Sequence, residues 1–350
     1  MIFRQLFDQV SSTYTYLLAD EATREAILLD CVFEQHERDL ALIRELELNL
    51  THVVDSHCHA DHVTGAWLMK RALGCQVALS PLYGAKNVDR PLSHGEEITF
   101  GSHALEVRAT PGHTDGCVSL LSRDTERVFT GDALLVRGAG RTDFQQGSAR
   151  KLYGSIQEQL FSLPDDFQVY PAHDYEGRTS STIGEERRYN PRIGAAAREE
   201  DFVGYMENLG LPHPKQLAIA LPANLRSGEP EDGRVSVPPD WAPVVRTYGG
   251  ITEIDPEWVA LHRADIHLLD VRAAAELDGE LGHLSGAQHI PLDELRARLA
   301  EVPMDKPIVT VCQTGKRSAL ATTILRKAGI PRTANVSGGM LKWRQLGLPS

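Results

Sequence analysis

Apolar residues alternate with polar ones, or run unbroken, through "STYTYLLA" (residues 12–19), "EAILLDCVF" (25–33) and "LTHVVDS" (50–56), and each stretch predicts a β-strand. Between the second and third, "HERDLALIRELEL" (36–48) carries apolar residues at roughly helical spacing and predicts a helix. Three shorter apolar runs follow, "ALEVR" (104–108), "RVF" (127–129) and "FQV" (167–169), each with a histidine or aspartate a few residues on. Further along, "HLLDVRAAAELDGELGHLSGAQHIPL" (267–292) and "PIVTVCQTGKRSALATTILRKAG" (307–329) read as alternating strands and helices, the last helix ending at Gly329 as its C′ residue. From Ser227 to Pro243, "SGEPEDGRVSVPPDWAP" has no apolar periodicity and reads as a linker, which sets a first domain at 1–226 and a second at 244–350. No repeat at a solenoid period interrupts this order.

A length of 350 residues calls for more than one core, and 42% apolar with 24% charged residues is a globular composition. No apolar run approaches the 18 or so residues that span a bilayer, and the N-terminus lacks the features of a signal peptide, so a cytoplasmic, membrane-free protein is expected. A net charge of −12 repels nucleic acid and anionic lipid. That charge is uneven: residues 245–350 hold 13 Lys and Arg against 12 Asp and Glu, leaving −13 for the rest. The five cysteines include no CxxC pair, so neither a disulfide framework nor a cysteine-rich zinc site is indicated.

The first concentration of chemistry is "HCHADH", where His57, His59, Asp61 and His62 follow directly on a predicted strand. Strand alternation would put residues 57 and 59 on one side, with a turn bringing round 61 and 62, and would point Cys58 away into the structure. His113 in "ATPGHTDG", Asp132 in "FTGDALL" and His173 in "YPAHDY" each stand just past an apolar run. Imidazoles and carboxylates gathered at strand ends, without thiolate, suit Zn, Fe or Mn.

The second concentration is "VCQTGKRS" (311–318), with Cys312 between a strand and a helix N-terminus. Backbone N–H groups and the helix dipole lower a thiol's pKa there, and Lys316 and Arg317 add positive charge. The site is shaped for a thiolate that meets an anionic substrate. Asp270 and Arg272 read as fold-holding residues, and Trp258 and Trp343 as core.

The set "HCHADH", His113, Asp132 and His173 resembles the metallo-β-lactamase superfamily over roughly residues 1–225. This implies an αββα sandwich with a metal site at one edge. Glyoxalase-II-like hydrolases and persulfide dioxygenases both have such a site, and ligand counting does not choose between them. "TGDALLVRGAGRTDFQQG" and "YPAHDYEGRTSSTIGEERRYNPR" resemble the persulfide dioxygenases. Carried over, the resemblance implies one Fe(II) per chain on His57, His113 and Asp132, with His59, Asp61, His62 and His173 around it. It also implies Arg141 and Tyr175 as glutathione-binding residues, a structural ion pair between Arg141 and Asp143 being the competing reading.

Residues 248–348, with "LDVR", "GHLSGAQHIP" and the Cys-x-x-Gly-x-Arg loop, resemble a single-domain rhodanese, an α/β domain with a central parallel sheet. The six-residue loop from Cys312 to Arg317 has the sulfurtransferase length and lacks the extra residue of phosphatase-type loops. The whole chain thus resembles bacterial persulfide dioxygenase–rhodanese fusions. The implied reactions are oxidation of glutathione persulfide by O2 to sulfite and glutathione, and sulfane-sulfur transfer between thiosulfate and glutathione through Cys312, with Arg317 and Lys316 assisting. Two other readings are a zinc-dependent acylglutathione hydrolase fused to a rhodanese, and a non-catalytic sulfur carrier. A homodimer is the default expectation for such an enzyme.

Overall fold

A computed structural model describes residues 1–212, 214–233 and 241–349. They fall into two compact units, Met1–Arg234 and Val235–Ser350. The expected linker, 227–243, includes residues 234–240, which lie outside the described residues. On its near side Ser227 is buried in the first unit, accepting from Trp67 N (2.9 Å) and donating to the Lys86 carbonyl (2.7 Å). On its far side Ala242 joins the core of the second unit.

The first unit opens on a sheet in chain order: β1 (Ile2–Asp8), β2 (Thr13–Ala19), β3 (Glu25–Leu29), β4 (Asn49–Val54), β5 (Gln76–Leu79) and β6 (Arg90–Pro91). The first pairings are antiparallel, and β3 to β6 run parallel. β1 is a strand that the pattern analysis above did not single out. A second sheet is built from β7 (Glu97–Phe100), β8 (His103–Ala109), β9 (Val118–Ser122) and β10 (Arg127–Gly131). A hairpin, β11 (Leu134–Leu135) and β12 (Gly138–Ala139), stands apart, and β13 (Gln168–Pro171) and β14 (Ser181–Thr182) complete the sheet in the order β14-β13-β10-β9-β8-β7.

Period-two alternation explains how the sheets stack. In β2, Tyr14, Tyr16 and Leu18 face the second sheet's Phe100, Leu105, Val107, Leu120 and Phe129. Leu17 and Ala19 face outward, under α1 (His36–Glu45) and α2 (Ala66–Leu73), among Leu42, Ile43 and Met69. A strand buried on both faces reads as the unbroken run seen in "TYLLA". On the far side α3 (Ala149–Ser155) and α5 (Glu199–Glu207) cover Leu121, Val128 and Val169 with Leu152 and Phe202. The result is an αββα sandwich. Two further helices, α4 (Ile183–Tyr189) and α6 (Leu217–Asn224), complete the unit.

In the second unit the sheet order is β15 (Val245–Arg246), β16 (Thr252–Ile254), β20 (Thr333–Val336), β19 (Ile308–Val311), β17 (His267–Asp270), β18 (Gln288–His289). All pairings are parallel except at the β15 edge. One face packs Leu268, Val309 and Val311 against α7 (Pro256–Leu261) and α11 (Gly339–Gln345), with Trp343 fully buried. The other packs Leu269 and Ile308 against α9 (Leu292–Leu295) and α10 (Lys316–Lys327), and a short α8 (Ala274–Leu277) follows β17 in the chain. Trp258 is partly buried and stacks on His262, while Asp270 and Arg272 form a buried bidentate pair at 2.6–3.0 Å. α10 ends with Gly329 at φ +86°, the left-handed C′ conformation. Among the described residues no helix is long and apolar enough to cross a membrane.

Candidate metal centre and thiolate loop

β4 stops at Val54, so residues 57–62 lie on a loop rather than on a continuing strand. Strand alternation therefore does not place His57 and His59. The turn does, bringing their rings together with centroids 4.0 Å apart and planes tilted by 47°. Side chains from elsewhere hold this loop, among them Asp30 and Asn224. Asp30 accepts from Ser56 N (2.7 Å) and pairs with His59 Nε2 (3.1 Å). Asn224, at the end of α6, donates to the carbonyls of His59 and His62 and accepts from Thr64 N, at 2.8–2.9 Å.

The remaining residues arrive from strand ends. Asp132 follows β10 directly, His113 lies past β8, and His173 lies past β13. Gly131, at φ +52°, makes the turn that presents Asp132, and a Cβ there would sit 2.8 Å from Ser56 Oγ. Asn190 and Arg192 brace the neighbouring β11–β12 hairpin through the carbonyls of Gly138 and Ala139. That hairpin leads to Arg141, whose carbonyl takes His113 Nδ1 at 2.7 Å.

Donor atoms of His57, His113 and Asp132 all lie within 4.8 Å of one another. Nδ1 of His57 is engaged by Ser56 Oγ (3.0 Å) and Nδ1 of His113 by Arg141 O, which leaves their Nε2 atoms for a metal, that of His113 lying 3.7 Å from Asp132. Burial, and then the neighbouring His59, hold the His57 imidazole well below its ordinary pKa, so its lone pair is free at neutral pH. Asp132 is pushed up by burial, yet the His173 charge and hydrogen bond overcome this and keep it ionised. Two imidazoles and a carboxylate with fixed orientations fit a divalent metal of the Fe(II) or Zn class.

A second group, His59, Asp61, His62 and His173, also falls within 4.8 Å. Within it His173 spans two carboxylates, Nδ1 to Asp132 at 2.6 Å and Nε2 to Asp61 at 2.9 Å. The hydroxyl of Thr13 lies 3.1–3.3 Å from Asp61, His62 and His173. His59 Nδ1 and His62 Nε2 are buried without a protein partner.

A cavity of about 110 Å³ opens on the triad, bordered by Arg141, Phe144, Tyr175 and Arg192. Arg141 is bidentate to Asp143 (2.6–2.7 Å) and also donates to the carbonyls of Leu211 and Pro212. The ion pair considered from the sequence is thus present. Tyr175 is 70% exposed and stacks parallel to His173. Cys58 is buried, and burial pushes its thiol up to about 12.

In the second unit the loop after β19 curls round Cys312 Sγ. Gly315 takes φ +87°, and N–H groups of Thr314, Gly315 and Ser318 turn toward the sulfur. The outward carbonyls of Cys312 and Gln313 are taken by Met340 N (2.8 Å) and Leu341 N (3.0 Å) at the start of α11. Burial pushes the thiol up, but the Ser318 hydroxyl and these N–H groups outweigh it and set the pKa below the ordinary thiol value. Arg317 does not approach the sulfur unpaired: it is bidentate to Glu276 of α8 at 2.6 and 2.7 Å. Lys316 is exposed. Glu276, Asn335, Asn224 and Thr13 were not identified from sequence, being single polar residues outside any spacing pattern, and Ser318, though inside "VCQTGKRS", was given no role there.

Comparison with known proteins assigns each unit to a family. Residues 8–173 match the metallo-beta-lactamase superfamily and residues 255–346 the rhodanese-like domain. The human mitochondrial persulfide dioxygenase ETHE1 is 52% identical over 229 residues, covering 65% of this chain and 89% of that protein. The crystal structure of ETHE1 from Myxococcus xanthus superposes with a TM-score of 0.63 at 53% identity, covering 65% of this chain and all of that one. A metallo-beta-lactamase structure from Staphylococcus aureus, 23% identical, shares the fold over 96% of this chain and 98% of its own, with a TM-score of 0.61. The chain therefore belongs to the persulfide dioxygenase family of the metallo-β-lactamase superfamily, and a rhodanese domain follows in the same polypeptide.

Proposed function

We propose that the first unit oxidises glutathione persulfide with dioxygen and that the second transfers sulfane sulfur between thiosulfate and glutathione. The observation that carries this reading is the pairing, in one chain, of a two-histidine, one-carboxylate site with a cysteine whose thiol is made more acidic by the amides and hydroxyl of a six-residue loop. Both sites suit sulfane sulfur.

His57, His113 and Asp132 would hold one Fe(II), which supplies the one-electron chemistry that lets a persulfide react with dioxygen. The protein's own groups do the rest. The cavity over the triad is smaller than the roughly 300–1,000 Å³ of a site that encloses a drug-sized ligand, so it admits the sulfur end and leaves the peptide outside. At its rim the exposed face of Tyr175 would meet the peptide backbone, and Arg141 would reach a peptide carboxylate by exchanging a contact it now makes to Asp143, Leu211 or Pro212. His173 and Arg141 O fix Asp132 and His113 in orientation. Overall, one persulfide, one O2 and one water give one glutathione, one sulfite and two protons.

At the second site the Cys312 thiolate attacks the outer sulfur of thiosulfate, the S–S bond breaks, and sulfite leaves with the electron pair. Loop N–H groups hold the resulting persulfide until glutathione thiolate takes its outer sulfur. The deciding experiment is oxygen uptake by Fe(II)-loaded protein on adding glutathione persulfide, beside a zinc-loaded control. Uptake with iron alone, yielding sulfite, is the expected result. Hydrolysis of an acylglutathione by the zinc form without any uptake would assign the first unit to the hydrolases instead.

A further inference from the structure

Ser318 Oγ lies 3.2 Å from Cys312 Sγ and 2.5 Å from Asn335 Oδ1, and all three residues are buried. A hydroxyl carries one hydrogen, so Ser318 donates to the sulfur or to the amide, never to both. The amide is oriented from behind. β16 pairs with β20 so that Glu253 stands opposite Asn335, and Asn335 Nδ2 donates to Glu253 Oε1 at 3.1 Å. A carboxylate only accepts, so Oδ1 has to face Ser318.

We propose that Asn335 is a positioning residue for sulfur transfer, holding the Ser318 hydrogen while Cys312 Sγ is uncharged and yielding it when negative charge arrives there. This rests on the sulfurtransferase reading of the loop. In the first half-reaction Sγ starts as a thiolate and ends bonded to a second sulfur, which carries the charge. In the second, an acceptor thiolate attacks that outer sulfur, the S–S bond breaks, and the electron pair returns to Sγ. Charge on Sγ thus alternates, and the Ser318 hydrogen has one acceptor for each state.

The charged groups around Sγ do not offer the same freedom. Arg317 on α10 is clamped by Glu276 of α8, and Arg272 by Asp270 at the end of β17. Lys316 is exposed to solvent, and Glu253 on β16 is engaged with Asn335. Among these groups and Ser318, the donor with a choice of acceptors is Ser318.

The test is the thiol pKa of Cys312 in the full chain, read as thiolate absorbance and differenced against Cys312→Ser, together with single-turnover rates of the two half-reactions. Asn335→Leu removes the competing acceptor and should lower the thiol pKa by about one unit, the scale of one hydrogen bond to a charged group. Glu253→Ala, at a less buried position, frees the amide to turn its Nδ2 toward Ser318 and should shift the pKa in the same direction. Ser318→Ala should raise it, and Ser318→Ala with Asn335→Leu should match Ser318→Ala alone. In Asn335→Leu, persulfide formation from thiosulfate should slow, because a better-stabilised thiolate is a weaker nucleophile, while sulfur release to glutathione should speed up. Mere structural damage would slow both. An unchanged or raised pKa in both Asn335→Leu and Glu253→Ala, or parallel loss of both rates, would overturn the proposal. If the wild-type chain formed no persulfide from thiosulfate, the sulfurtransferase reading would fail, and the titration would still decide whether Asn335 competes for the hydrogen.

Discussion

Asn224 makes three hydrogen bonds to the backbone of the loop that carries four candidate ligand residues, from a position some 160 residues away in the sequence. Asn224→Ala would leave the carbonyls of His59 and His62 and the amide of Thr64 buried without this partner. The expected cost is about 1–3 kcal/mol for each buried group left unsatisfied, less any relaxation of the loop. Thermal unfolding should show it, and metal content should fall with it. Glu276 makes a separate case. Its bonds to Arg317 hold its carboxyl near 2, from an ordinary 4.5. A depressed carboxyl stabilises the fold above its unfolded pKa, and that contribution is lost as pH falls from about 4.5 toward 2. Glu276→Gln should remove this part of the acid dependence, seen as a smaller loss of stability as pH falls from about 4.5 to about 2. Equal slopes in the two proteins would mean that the ion pair contributes nothing in solvent.

At the scale of elements, legibility followed periodicity. The strands β2, β3 and β4 and the helix α1 announce themselves because each must bury one or both faces, and burial writes a period into the sequence. The dense motifs around His57 and Cys312 were legible because several chemical residue types fall within a few positions. Asn335, Thr13 and Asn224 were not, since tertiary packing alone brings them to the sites. The same holds for the glycines of "SGGM". Gly339, at φ +59°, lets α11 begin against the thiolate loop: a Cβ there would lie 2.4 Å from Cys312 O and 2.7 Å from Gly315 N. Gly339→Ala forces a left-handed alanine, costing about 1–2 kcal/mol before any clash. It should therefore abolish sulfur transfer by moving the loop amides off Sγ. Persulfide oxidation by the same sample should persist, which a measurement of both activities on one preparation checks.

At the scale of the whole molecule the two proposed reactions share glutathione and produce sulfite, and their sum fixes a stoichiometry. Thiosulfate and glutathione give sulfite and glutathione persulfide; the persulfide with O2 and water gives a second sulfite and returns the glutathione. Two sulfites should therefore form per O2 consumed, with glutathione required only in catalytic amount. Cys312→Ser should stop oxygen uptake from thiosulfate while leaving uptake from added glutathione persulfide, and Asp132→Ala should stop both while leaving sulfur transfer. Mixing the two full-length variants then asks how the units communicate. Glutathione persulfide is a small free solute, and the oxidation that consumes it pulls the transfer step forward. Uptake from thiosulfate should accordingly return in the mixture and rise with the concentration of either variant. If the mixture stays silent while each variant keeps its own half-reaction, persulfide passes between the units of one chain without release, and the fusion itself becomes part of the mechanism.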